Sequence, residues 1–197
     1  VRRLKAADPV MRRLIERVGP CRLSPKPEDA FEALLEAIVH QQLRTSVAIK
    51  IHGRVIALFG NGPVTPKNLL RLSDARLRAA GLSRNKLAAL RDLAAKCRDG
   101  VVPKRLHLET LGDAEIIERL TAVRGVGVWT AQMFLIFRLG RPDVMPSGDF
   151  GVRKAFGLLY RKNGRLPPAS ALDAHARLWA PHRTVASWYL WRSLDPA

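Results

Sequence analysis

Residues 120–131 read LTAVRGVGVWTA, and the rest of the chain is best read outward from them. Leu120 and Val123 close one helical pattern, and Val128 opens a second that runs to about Leu139. Between the two, Gly125-Val126-Gly127 leaves room only for a tight hairpin. Glycine serves such a turn twice, by accepting unusual φ angles and by leaving backbone N–H groups uncovered. Because the second helix starts at once, its first-turn amides and the positive end of its dipole face the same space. A phosphate fits there, held by amides that carry no information about base sequence. A lone Gly-x-Gly would suit any structural corner. The longer string, apolar–x–x–apolar–x–Gly–apolar–Gly–x–x–Thr–Ala, is far more specific.

Downstream, PSGDFGVRKAF occupies residues 146–156 and places Asp149 between a Gly-rich turn and a helix. Aspartate is a preferred N-cap, so Ser147-Gly148-Asp149 reads locally as a helix start. A capping carboxylate is also held ionised and aimed by the helix N-terminus. A structural role and a chemical one are therefore compatible at this position.

The pattern elsewhere is helical. Phe31, Leu34, Leu35, Ile38 and Val39 make one apolar stripe over residues 28–40, with Glu28 and Asp29 in the first turn. Val47, Ile51, Val55 and Leu58 repeat the habit over 45–59, which ends at Gly60-Asn61-Gly62-Pro63. Thr65-Pro66 opens a short helix to Leu72, and Ser73-Asp74 caps another that ends at Ala80-Gly81. Further helices are predicted over 84–98, from Asp113 to Ala122, and near 150–162, 170–179 and 184–194. Alternating β-branched runs are nearly absent. These features predict an all-α protein of nine to eleven helices, and with no long linker its lobes should be interleaved.

Composition sets the chemistry. The 197 residues carry 34 Lys+Arg against 17 Asp+Glu, a formal net charge of +17. Such an excess repels itself and calls for a polyanionic partner, nucleic acid above all. Arginine dominates the basic residues, and its planar fork suits phosphate oxygens. A content of 47% apolar residues excludes a disordered basic arm. No apolar run approaches the ~20 residues of a membrane helix. Val1-Arg2-Arg3-Leu4-Lys5 lacks the apolar stretch of a signal peptide. Cys21 and Cys97 show no metal or redox spacing, which points to a reduced, cytoplasmic protein. The histidines at 40, 52, 107, 175 and 182 likewise show no metal spacing and are expected to be structural or surface residues.

Residues 120–131 resemble the helix-hairpin-helix motif of DNA-binding proteins, with Arg124 where that motif often has proline. Hairpin, helix, turn and Asp149 in that order and spacing resemble the helix-hairpin-helix DNA glycosylase superfamily. The likeness extends to FEALLEAIVHQQLRTSVA at 31–48, GLSRNKLAALRDLA at 81–94 and LWAPHRTVASWYLW at 178–191. Within the superfamily the chain is most similar to the 3-methyladenine DNA glycosylase II branch, in a compact form lacking the N-terminal β-rich domain. This resemblance implies two interleaved helical lobes with a cleft between them. One lobe would span approximately 40–140, and the other 1–39 plus 141–197.

The resemblance further implies a monofunctional enzyme. Bifunctional relatives carry a lysine nucleophile two residues beyond the second hairpin glycine, where this chain has Trp129. Two cysteines also cannot supply the four-cysteine cluster of the endonuclease III branch. Asp149 is then the catalytic carboxylate, and Trp129, Met133 and Trp179 line the base pocket. Gln42 or Leu43 fills the gap left by an extruded nucleotide. Gly81, Lys86, Gly125, Gly127 and Thr130 meet the DNA. The carbonyls of Thr121, Val123 and Val126 are candidates for a monovalent cation, and no cofactor is required. The expected partner is damaged double-stranded DNA, bound by a monomer. Two other readings stay open on sequence: a non-catalytic helix-hairpin-helix module that recognises DNA structure, and a glycosylase for a non-alkylated damaged base.

Overall fold

Six helices begin on a residue whose own side chain accepts a hydrogen bond from the first turn: Asp8, Asp29, Thr65, Ser73, Ser83 and Asp149. Each satisfies an amide that the helix cannot. The caps at Thr65 and Ser73 stand where the sequence placed them. The computed structural model describes residues 1–161 and 165–195, and all regular structure in them is helical. Thirteen α-helical segments are present among the described residues, against the nine to eleven expected. Arg2–Ala7, Pro9–Val18 and the one-turn Arg105–Leu108 account for the difference. The first two are rich in arginine and bury only a narrow stripe of Leu4, Met11, Leu14 and Ile15, which gives a weak pattern. The helix expected over 150–162 is Phe150–Phe156 followed by a π-turn, Gly157–Arg161, and its last expected residue lies outside the described ones.

The chain divides into two units, one of residues 27–134 and one of residues 1–26 with 135–197. The boundaries differ from those expected at one element above all. Helix Ala30–His40, expected in the terminal lobe, packs on Arg84–Arg98 and Thr45–Ala57 within the 27–134 unit. Its apolar stripe explains the choice: Phe31, Leu34, Leu35, Ile38 and Val39 are all buried, each worth roughly 1.5–3 kcal/mol. The stripe predicted for Thr45–Ala57 is partly wrong. Ala48 and Val55 are buried there, whereas Val47 and Ile49 are exposed.

The other unit is built around Leu4, Met11, Leu14, Ile15, Phe156, Leu172, Tyr189 and Leu190. A buried carboxylate ties its chain ends together. Asp8, 3% exposed, accepts the Val10 and Met11 amides on Oδ1. Its Oδ2 accepts the Tyr160 hydroxyl at 2.8 Å and the Trp179 indole N–H at 2.9 Å, with His175 Nε2 at 3.0 Å. Burial pushes the Asp8 carboxyl up, but the Met11 amide and the His175, Trp179 and Tyr160 contacts outweigh it and hold it below the usual aspartate range.

Candidate functional site

In the 27–134 unit the hairpin is a short turn closed by the Val126 amide on the Val123 carbonyl at 3.0 Å. Gly125 takes φ +77°, a conformation that disfavours side chains. Gly127 does not have a positive φ, and a Cβ built on it meets nothing within 4 Å. Neither backbone strain nor internal packing therefore demands glycine at 127, and its bare backbone leaves room for something from outside. The helical ladder of Val128–Phe137 begins with the Ala131 amide on the Gly127 carbonyl, so the amides of 128–130 lie ahead of it at the helix N-terminus.

Two contacts that the sequence did not reveal brace this turn. The Arg124 amide donates to Asp92 Oδ2 at 2.7 Å, and Lys96 Nζ lies 2.7 Å from both Asp92 oxygens. Burial raises the Asp92 carboxyl, and the Arg124 amide and Lys96 ammonium more than compensate, leaving it below the usual value. On the other side, Gln41 Nε2 donates to the Gly125 carbonyl at 2.8 Å. Gln41 ends helix Ala30–His40 and opens the turn that carries Gln42 and Leu43. Both of those side chains are exposed, and Gln42 is the one described non-glycine residue with positive φ, +55°. A non-glycine residue holds that angle only where its surroundings fix it. The Gln41 bond joins this turn to the hairpin.

The remaining positions of this unit divide. Trp129 is 49% exposed, and Met133, one turn later, is half-buried. Thr130 is 8% exposed, so its side chain packs inward, while its amide stands in the first turn at the helix N-terminus. Gly81 has φ +109° and sits where a Cβ would come within 3.1 Å of Ile51, so this glycine is needed by the protein itself. It leads into Ser83, which caps helix Arg84–Arg98. Lys86 is more committed than expected: its Nζ donates to the Val39 carbonyl at 2.6 Å, and burial holds its ammonium below the usual lysine value. It stabilises the C-terminal end of Ala30–His40, where a cation suits the dipole. At the proposed cation position, Val123 and Val126 are buried, and the Val123 carbonyl has one lone pair taken by Val126. A carbonyl keeps a second, so the donor set is chemically suitable.

In the other unit, Asp149 caps helix Phe150–Phe156 and accepts the Val152 amide on Oδ1 at 2.8 Å. The same oxygen accepts the Trp191 indole N–H at 2.9 Å. Trp191 is half-buried and stacks on Phe137 at 5.8 Å between ring centroids. Gly151 makes this approach possible, because a Cβ there would come within 3.2 Å of both Asp149 Oδ1 and Trp191 Cδ1. The result is an oriented carboxylate with an aromatic ring against it.

Trp179 does not belong to such a surface. It is 0% exposed and is fixed by Asp8 among Phe156, Tyr160 and His175, so no base can stack on it. The aromatic partner of Asp149 is Trp191 instead. Both are tryptophans in one C-terminal stretch, and only packing tells them apart.

Residues 35–181 match the family described as HhH-GPD superfamily base excision DNA repair protein, and the chain belongs to that family. The chain is 35% identical over 193 residues to DNA-3-methyladenine glycosylase 1 of Schizosaccharomyces pombe, covering 96% of this chain and 84% of that one. Among solved structures it resembles the S. pombe 3-methyladenine DNA glycosylase in complex with abasic DNA. That likeness has a TM-score of 0.87 and 34% identity, over 99% of this chain and 96% of the other. A DNA-3-methyladenine glycosidase from Bacillus halodurans matches with a TM-score of 0.88 and 38% identity, over 96% and 86% of the two chains.

Proposed function

We propose that this protein is a monofunctional DNA glycosylase of base excision repair that hydrolyses the N-glycosidic bond of alkylated bases such as 3-methyladenine and 7-methylguanine. The observation that carries the reading is Asp149, a helix-capping carboxylate held by the Val152 amide and the Trp191 indole. Its partner is damaged double-stranded DNA, bound by a monomer in the cytoplasm.

The chemistry follows from the substrate. A stacked base is out of reach, so its nucleotide is extruded at a cost of a few kcal/mol. Gln42 or Leu43, exposed on the turn tied to the hairpin, fills the gap. The backbones of Gly125, Gly127 and Thr130 clasp one phosphate, and the turn at Gly81 takes a second, with Lys86 behind it. A monovalent cation held by the carbonyls of Thr121, Val123 and Val126 would brace the hairpin, and no other cofactor is needed.

An alkylated purine is cationic and departs with the electron pair of the glycosidic bond, becoming neutral. It needs no strong general acid. The sugar left behind is oxocarbenium-like at C1′, and the Asp149 carboxylate stabilises that charge. Water then forms the new C1′–O bond while Asp149 takes its proton. Trp129 and Met133 supply a base-contacting surface, where an aromatic ring favours a cationic base by about 0.5–2 kcal/mol. With Trp129 in the place of a lysine, no amine attacks the sugar and the abasic strand stays intact.

Incubation with methylated DNA followed by chromatography of the released bases tests this reading. Asp149→Asn is expected to lower release about a thousandfold or more while DNA binding persists. Binding without release by the unmodified protein would leave a DNA structure-recognition module instead, and turnover by Asp149→Asn would remove Asp149 from the mechanism.

A further inference from the structure

Helix Ala30–His40 carries Glu36 and His40 one turn apart on the same face. Helix Thr45–Ala57 brings His52 to them. One oxygen of Glu36 and one ring nitrogen from each histidine all lie within 4.8 Å of one another. The two imidazoles meet edge to face, with centroids 5.8 Å apart. His40 Nε2 is sealed from solvent and has no hydrogen-bond partner among the described residues. A buried nitrogen left in that state costs free energy, so it calls for a ligand.

We infer that Glu36, His40 and His52 form a binding site for a divalent transition metal of the zinc type, which pins the two ends of the turn carrying Gln42 and Leu43. Two imidazole nitrogens and one carboxylate oxygen make an open zinc donor set, completed by water. Nitrogen ligands of this kind disfavour magnesium and calcium, which prefer oxygen. Donors of a tetrahedral zinc site stand about 3.4 Å apart, so the three side chains close by about 1.4 Å at most, a matter of small torsional changes. The site bridges the helix before the turn and the helix after it. Gln42 sits between them at φ +55°, an angle that needs external support. The inference does not depend on the excision chemistry, and its test reads metal rather than turnover.

The experiment uses the full chain, free of any affinity tag, stripped with EDTA and titrated with Co²⁺ and then Zn²⁺. One equivalent of Co²⁺ is expected to give the visible d–d bands of a low-coordinate nitrogen–oxygen site, and one equivalent of Zn²⁺ to bleach them. Zn²⁺ should also raise Tm. His52→Gln and Glu36→Gln are expected to weaken binding by at least the tenfold to hundredfold that loss of a mere outer-shell partner costs, and to abolish the Tm rise. Both should retain native helical circular dichroism, and His107→Gln, an exposed control, should bind like the parent. Absence of the d–d bands at millimolar Co²⁺, or bands that persist undiminished in His52→Gln, would overturn the site.

Discussion

Trp179 and Trp191 lie twelve positions apart, and each donates its indole N–H to an aspartate at 2.9 Å. Their roles separate by which aspartate they serve. Trp179 serves Asp8, inside the core, where loss of a buried hydrogen bond to a charged group costs about 1–3 kcal/mol. Trp179→Phe should therefore lower Tm by several degrees and leave the excision rate of the folded fraction unchanged. Trp191 serves Asp149, and its removal takes away one of the contacts that aim the carboxylate. Trp191→Phe keeps an aromatic ring but not the N–H, and should slow base release roughly tenfold to a hundredfold with little change in Tm. Parallel melting curves and single-turnover release assays on the two variants check this. The reverse pattern would return Trp179 to the base pocket.

The hairpin combines a glycine that the fold requires with one that it does not. Gly125 is required by its φ of +77°, and Asp92 and Gln41 fix the turn from outside it. Gly127 has neither constraint. Alanine at a compatible glycine position stabilises a fold by about 0.4–1 kcal/mol, because the unfolded chain loses freedom. Gly127→Ala should thus leave the protein as stable as before or slightly more so. The added methyl would stand where a phosphate approaches, so DNA affinity should fall about tenfold or more. Gly81→Ala makes the contrast, since φ +109° and Ile51 at 3.1 Å strain the free protein before any DNA arrives. Denaturant melts and fluorescence-anisotropy binding curves distinguish the two. Unimpaired DNA binding by Gly127→Ala would mean that no phosphate touches this turn.

Across the whole molecule, a net charge of +17 makes DNA affinity a question of counterions. Each phosphate neutralised contributes about −0.9 to the slope of log K against log salt. On the proposed reading, neutralisation of several phosphates by the excess of Lys and Arg predicts a steep linear fall, measured by anisotropy over a range of salt concentrations, and a flat response would rule out phosphate anchoring. No helix among the described residues is long and apolar enough to cross a membrane. The helical class, most helix starts, the hairpin and the cap at Asp149 were legible in the sequence, because helical period, capping and turn chemistry act within a few residues. The unit boundary was not, since which neighbour buries the Phe31–Val39 stripe depends on the packing of distant helices. Nor were the partners of the hairpin and of Asp149, because the Gln41–Gly125 and Asp149–Trp191 bonds span 84 and 42 positions. Glu36 and His40 stand one turn apart on a single helix, but His52 comes from the next one, and only the packing of the two helices brings the three donor atoms together. Local periodicity determined what the chain would be made of. Packing, which selects one face of each helix and so one side chain among chemically identical candidates, decided which residues meet.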